Sequence, residues 1–175
     1  TGSTPSTEEP TVTTTAAPTT STPVRGYSTR YWDCCKTHCA WTANVPSGVS
    51  PQKTCDKADA PISDVDAKSA CSAATTSAAY TCHDNIPFAI NSDLAYGFAA
   101  SPAAGVQCGL CYRLTFDGTG KYDGASSPKA GTASLKGKSM IVQATNIGHD
   151  VAKEQYDISI PGGGVGAYDA CTSQW

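Results

Sequence analysis

The chain lacks an excess of charge of either sign, and it lacks any long apolar run. Twelve basic residues face 15 acidic ones. Two of those acids, Glu8 and Glu9, stand near the N-terminus, so from Arg25 onward the chain is close to neutral. With no basic patch or charge run, nucleic acid and anionic lipid are set aside as partners. The longest mixed apolar stretch, 94–104, is too short to span a membrane and contains Pro102. Histidine is sparse, with His38, His83 and His149 scattered singly. There is no internal repeat. The first residue is Thr and no signal peptide is visible, as expected if such a segment has been removed or the chain is a piece of a longer protein.

Cysteine is plentiful but absent from the first 33 residues; all nine lie between Cys34 and Cys171. Cys108-Gly-Leu-Cys111 has the spacing of a zinc or redox motif, but a zinc site needs a second closely spaced pair. Cys34, Cys35 and Cys39 do not supply it, because adjacent ligands reach one tetrahedral ion only with strain. With so few histidines, disulfides in an oxidising, extracellular compartment are the better account, and no metal or cofactor is expected. Nine is odd, so one thiol is left over.

Residues 1–24 contain 17 Ser, Thr or Pro and no aromatic residue. Such a tract cannot bury enough apolar surface to offset chain entropy, and it reads as a disordered, stalk-like linker to a further module. The globular part, 25–175, reads as mainly β. Cys111–Phe116, Ser139–Thr145 and Tyr156–Ile160 alternate and are rich in strand formers. The Gly/Ser/Lys-rich stretch 117–138 between the first two predicts a long hairpin loop. One helix is predicted over Ser92–Ala100, with Ser92 as N-cap and Asp93 in its first turn. Segment 42–70 shows no clear period.

Three features bear on chemistry. Gly162-Gly-Gly-Val-Gly-Ala167 matches the spacing of a dinucleotide-binding loop, but Pro161 and the lack of a following ribose-binding acid favour a tight crossover between strands. Tyr31, Trp32 and Trp41 cluster about Asp33; tryptophans usually belong to the core, yet aromatic rings in a groove also stack on sugars. Carboxylates are the third. Asp157 lies within a hydrophobic strand, where burial would raise its pKa and suit a general acid, although the commoner case is a solvent-facing aspartate. Asp33 sits between two aromatics and two adjacent cysteines, rigidly held whatever its role. Two carboxyl groups facing a groove, one protonated and one not, are the machinery of glycoside hydrolysis.

The stretch "STRYWDCCKTHC" at 28–39 resembles the signature of the family 45 glycoside hydrolases, small secreted endoglucanases. The likeness continues through "DAKSACS", "AYTC", "NSDLAYGFAA", "CYRLTF", "MIVQATN" and "YDISIPGGGVGAYDACTSQ", in family order. The resemblance implies a six-stranded double-psi β-barrel with long disulfide-linked loops, a short helix and an open groove. It implies a monomer that cuts internal β-1,4 bonds of cellulose or other β-1,4-glucan with inversion. Asp33 would be the general base, Asp157 the general acid, and Asp150 an assisting residue on the loop "NIGHD". Thr29, Tyr31, Lys36 and Trp41 match groove positions. Inversion requires the base and acid to stand roughly 6.5–9.5 Å apart, leaving room for one water.

The family pairing joins Cys34 to Cys171, Cys35 to Cys71, Cys39 to Cys108, and Cys55 to Cys82. Cys111 would pair with a cysteine beyond residue 175, as expected of a catalytic domain truncated at its C-terminus and carrying a cellulose-binding module upstream through the linker. The chain departs from the family at Gly109, where a further cysteine is common, and at Gln155, where a histidine is usual. The 117–138 loop is also longer, and "SAATTSAA" after Cys71 differs. The alternative is an expansin-like or barwin-like module that binds polysaccharide without cutting it. Those modules lack the base, so Asp33 in its "TRYWD" setting discriminates against them.

Overall fold

The computed structural model describes residues 22–72, 78–102, 107–121 and 130–174. The linker expected over 1–24 lies almost wholly outside them, as do parts of the 72–79 and 117–138 segments. The described chain is mainly β. Its strands are β1 (Tyr27–Tyr31), β2 (Thr54–Cys55), β3 (Tyr80–Thr81), β4 (Phe88–Ala89), β5 (Leu94–Pro102), β6 (Cys111–Thr115), β7 (Ser139–Gly148) and β8 (Gln155–Ser159). Two one-turn α-helices, α1 (Ala130–Ala133) and α2 (Cys171–Gln174), and two 3-10 turns, His38–Ala40 and Thr42–Asn44, complete it.

Six strands form one mixed sheet in the order β1-β8-β5-β7-β6, with β4 added to the start of β5. β1 and β8 are parallel, β5 and β7 are parallel, and β6 returns antiparallel on β7 as the hairpin predicted from the sequence. The ladder does not close between β1 and β6 among the described residues. The sheet is nevertheless strongly curled. In a flat sheet β8 and β6 would stand roughly 14 Å apart, three strand spacings, yet the rings of Tyr112 and Tyr156 meet at 5.1 Å. At the two edges Arg25 reaches Asp117 at 3.3 Å, and the Lys121 ammonium lies 3.5 Å from the centre of the Tyr27 ring.

The helix expected over Ser92–Ala100 is instead the central strand β5. Asn91 Oδ1 accepts the N–H groups of Asp93 and Leu94, a side-chain turn that leads straight into the strand. The strand is paired on both sides, with β7 along one edge and β4 then β8 along the other. Its alanines tolerate either structure; Tyr96 and Phe98 suit a pleated surface, and two flanking ladders outweigh a weak helical preference.

Buried side chains are small: Ala99, Ala100, Val142, Ala144 and Ile158 line the sheet. A second cluster of Trp32, Cys34, Ala78, Tyr80 and Ala170 fills the space beside it. So lean a core is supplemented by four disulfides, Cys34–Cys171, Cys35–Cys71, Cys39–Cys108 and Cys55–Cys82, the same four pairs the family resemblance implies. Cys111 is free and exposed. Cys55, Asp59 and Cys82 approach one another as metal ligands would, but both thiols are consumed in a disulfide.

Candidate active site

A cleft of about 370 Å³ opens at the end of the sheet where β1 runs into 32–36 and β7 into 149–151. Asp33, Asp150 and Asp157 all line it. Each arrives on a different kind of backbone.

Asp33 follows β1 at a sharp turn. Its carbonyl accepts the Ala170 N–H at 2.9 Å, and the next residue, Cys34, takes φ 61, the left-handed region that a side chain with a Cβ adopts at a cost. The surroundings enforce it. Cys34 is fully buried and bridged to Cys171, its carbonyl accepts the Thr81 N–H, and Cys35 is bridged to Cys71. The turn brings the Asp33 carboxylate back onto the Cys35 N–H at 2.9 Å. Burial pushes Asp33 up to about 6; the Cys35 N–H draws it down, and the Asp157 and Asp150 carboxylates push it up again.

Asp157 sits on regular strand, opposite Thr29 of β1 and Ala100 of β5. It faces the cleft and not bulk solvent. Burial raises its pKa, the Thr29 hydroxyl bonded to Oδ1 at 2.7 Å lowers it, and Asp150 raises it. Asp150 is exposed on the turn after β7. That turn depends on Gly148, where a Cβ would collide with Val151 and stand 2.9 Å from the Asp150 carboxylate. The crossover 162–166 carries three glycines at positive φ, and a Cβ on Gly163 would lie 2.8 Å from the Tyr31 backbone. The glycines therefore serve a close strand crossing.

The four expected groove residues separate. Tyr31 lines the cleft; burial and then Asp33 push its phenol well above the ordinary tyrosine range, so it stays protonated. Its hydroxyl meets the Asn146 side chain, whose Oδ1 accepts the His38 N–H at 2.8 Å. Lys36 lines the cleft, but its ammonium donates to Val65 O at 2.7 Å and Ala67 O at 2.9 Å, and lies 3.5 Å from the centre of the Trp41 ring. Burial lowers its pKa. Thr29 and Trp41 are not among the cleft-lining residues: Thr29 sits behind Asp157, and Trp41 has one face covered by Lys36. Trp32 belongs to the core at 7% exposure. Sequence reasoning missed several lining residues, among them His38, Asn146, His149 and Tyr168. Tyr168, an aromatic two residues after the glycine run, carried the clearest signal, and in the structure it is 63% exposed.

A family model, Glycosyl hydrolase family 45, matches residues 25–175, the whole globular part. The chain belongs to glycosyl hydrolase family 45. Over 150 residues it is 53% identical to Endoglucanase B of Cellvibrio japonicus, covering 86% of this chain and 28% of that protein. It is 43% identical over 154 residues to a putative endoglucanase type K of Fusarium oxysporum, covering 86% of this chain and 36% of that one. A crystal structure of a cellulase from the Antarctic springtail Cryptopygus antarcticus superposes with a TM-score of 0.67 at 36% identity, covering 85% of this chain and 64% of that one. The family 45 chain thus spans about a third of the length of the first two relatives. The match to a hydrolase family lends no support to the expansin-like alternative. Among the described residues no helix is long and apolar enough to cross a membrane.

Proposed function

We propose that this family 45 domain is the catalytic part of a secreted endo-β-1,4-glucanase that hydrolyses internal bonds of cellulose with inversion. The observation that carries the reading is the meeting of Asp33 and Asp157 in one cleft, from separate elements, both with raised pKa. Asp33, ionised, takes a proton from water; that water attacks the anomeric carbon from the face opposite the leaving group. Asp157, protonated, gives its proton to the glycosidic oxygen as the C–O bond breaks. Asp150, on its turn at the cleft mouth, assists by keeping the neighbouring carboxyls protonated more readily. The Ser/Thr/Pro composition of 1–24 suits a linker to a cellulose-binding module, and the domain works as a monomer.

A second reading exchanges the two roles. The rise to about 6 falls on Asp33, whereas the Thr29 hydroxyl holds Asp157 down, a pattern that by itself suits Asp33 as the acid. The Asp157 carboxylate itself contributes to the rise on Asp33, however, and substrate in the cleft changes the desolvation of both.

Viscosity loss of carboxymethylcellulose with the full-length protein tests the activity; no loss between about pH 4 and 8 would refute it. Proton NMR of the first product tests inversion, which requires the α anomer. Aryl cellooligosaccharides with good leaving groups decide the roles. The acid variant is partly spared on them and the base variant is not.

A further inference from the structure

Gln155 is bonded on every side. Tyr27 and Gln155 are paired across β1 and β8, as are Thr29 and Asp157 two residues on. Period-two alternation therefore sets these four side chains on one face of the strand pair. The Ala152 N–H, which can only donate, points at Gln155 Oε1 at 3.0 Å, and the Tyr27 hydroxyl reaches the same oxygen at 3.0 Å. That fixes the amide: its oxygen must face these donors, so its NH2 faces Thr29 Oγ1 at 2.8 Å. The Thr29 hydroxyl accepts from Gln155, and its own proton points to Asp157 Oδ1 at 2.7 Å.

We propose that Gln155 is a positioning residue: it locks Thr29 as a donor to Asp157 Oδ1, so that the transferable proton of Asp157 resides on Oδ2. This rests on the functional reading above, and it adds a direction to the hydrogen bonds behind the acid. The device carries no charge of its own at any working pH, unlike a histidine. It also binds the acid to the Asp150 turn, because the Gln155 N–H in turn donates to Ala152 O at 2.9 Å. The charged and titratable groups around Asp157 are Asp33 and Tyr31 beyond β1 and within it, Asp150 and His149 after β7, Tyr168 after the glycine run, and His38 and Lys36 across the cleft. β5 contributes only Ala100 opposite it. Lys121 touches the far end of the relay, over the Tyr27 ring.

The test is a titration of the Asp157 carboxyl by carbon-13 NMR in the unliganded full-length protein, which does not depend on catalysis. Gln155→Leu frees Thr29 to accept from a protonated Asp157, and the Asp157 pKa should rise by about half a unit to one unit. Thr29→Val should raise it at least as far, and Gln155→Leu added to Thr29→Val should then change nothing further. Gln155→Glu, the isosteric variant, keeps the Ala152 and Tyr27 bonds but draws the Thr29 proton to itself, giving the largest rise. In kinetics the basic limb of the kcat/KM profile should move up with the same order. An unchanged Asp157 titration in Gln155→Leu and Gln155→Glu overturns the proposal, as does an equal shift with and without Thr29. If these shifts appear while Asp157→Asn retains full hydrolysis, the relay stands and the assignment of Asp157 as acid falls.

Discussion

The segment 32–36 and strand β8 each deliver one carboxylate to the same cleft, and they hold it by different means. Around Asp33 the backbone is irregular and strained, with Cys34 at φ 61 between two disulfides. Around Asp157 it is regular strand, parallel to β1 and antiparallel to β5, and the side chain is aimed by alternation and by the Thr29–Gln155 relay. A strand can point a side chain only up or down, so Asp157 needs hydrogen bonds to fine-tune it. A turn can aim a side chain anywhere but has no ladder to keep it there, so Asp33 needs covalent ties.

The sharpest way to break this comparison is to remove each carboxyl in turn. Asp33→Asn keeps the shape and the Cys35 bond, and turnover should fall on the order of 10³-fold or more on every substrate while glucan binding survives. Asp157→Asn should fall comparably on cellulose but far less on aryl cellooligosaccharides with good leaving groups. Steady-state rates on both substrate types check this, and the opposite leaving-group pattern would exchange the roles.

Next in size is the covalent tie. Cys34→Ser with Cys171→Ser should lower stability by about 2–5 kcal/mol and depress activity at temperatures where the fold persists, because the Asp33 turn relaxes. Thr29→Val, on the regular side, should cost about 1 kcal/mol. Thermal melts of the two variants side by side test whether the strained turn leans on its disulfide as described.

A smaller effect separates the two regions by pH. Asp33 is held at about 6 in the fold, above its ordinary value. Its ionised form therefore weighs against folding above pH 6, and that penalty vanishes below the unfolded value of about 4. Asp33→Asn should melt higher than the parent at pH 8, by an amount of order 1–2 kcal/mol, with the difference fading as pH falls from 6 through 4. A difference that does not change with pH would show that the Asp33 site is not desolvated. Smallest of all, Asp150→Asn removes a charge that raises both neighbours. The acidic limb of kcat/KM should move to lower pH by a few tenths of a unit, with a loss of activity milder than for either other aspartate.

Much of this site is legible in the sequence. Asp33 and Asp157 stand out in the chain by their settings, and strands β6, β7 and β8 were each predicted within a few residues. β1 was not, because its five residues carry no apolar periodicity; its partner β8 is 128 positions away and supplies the reason for it to be extended. β5 was misread as a helix for a related reason: alanines at 95, 99 and 100 leave local preference weak, and three partner strands decide the outcome. Lys36 lines the cleft, and the sequence does not show that its ammonium is held by carbonyls of residues 65 and 67, in a segment whose conformation no periodicity announces.

By itself the sequence determined membership of the family, the mainly β character, the cysteine framework and the two carboxylates worth testing, because each is carried by residue identity at set spacing. Only the tertiary structure decided which aromatic is core and which is rim, how far the sheet curls, and in which direction the hydrogen bonds behind Asp157 run. Those depend on partners distant in the chain: a hydroxyl is donor or acceptor according to what lies on its other side, and Thr29 acquires its direction from Gln155 and Ala152, more than a hundred residues away.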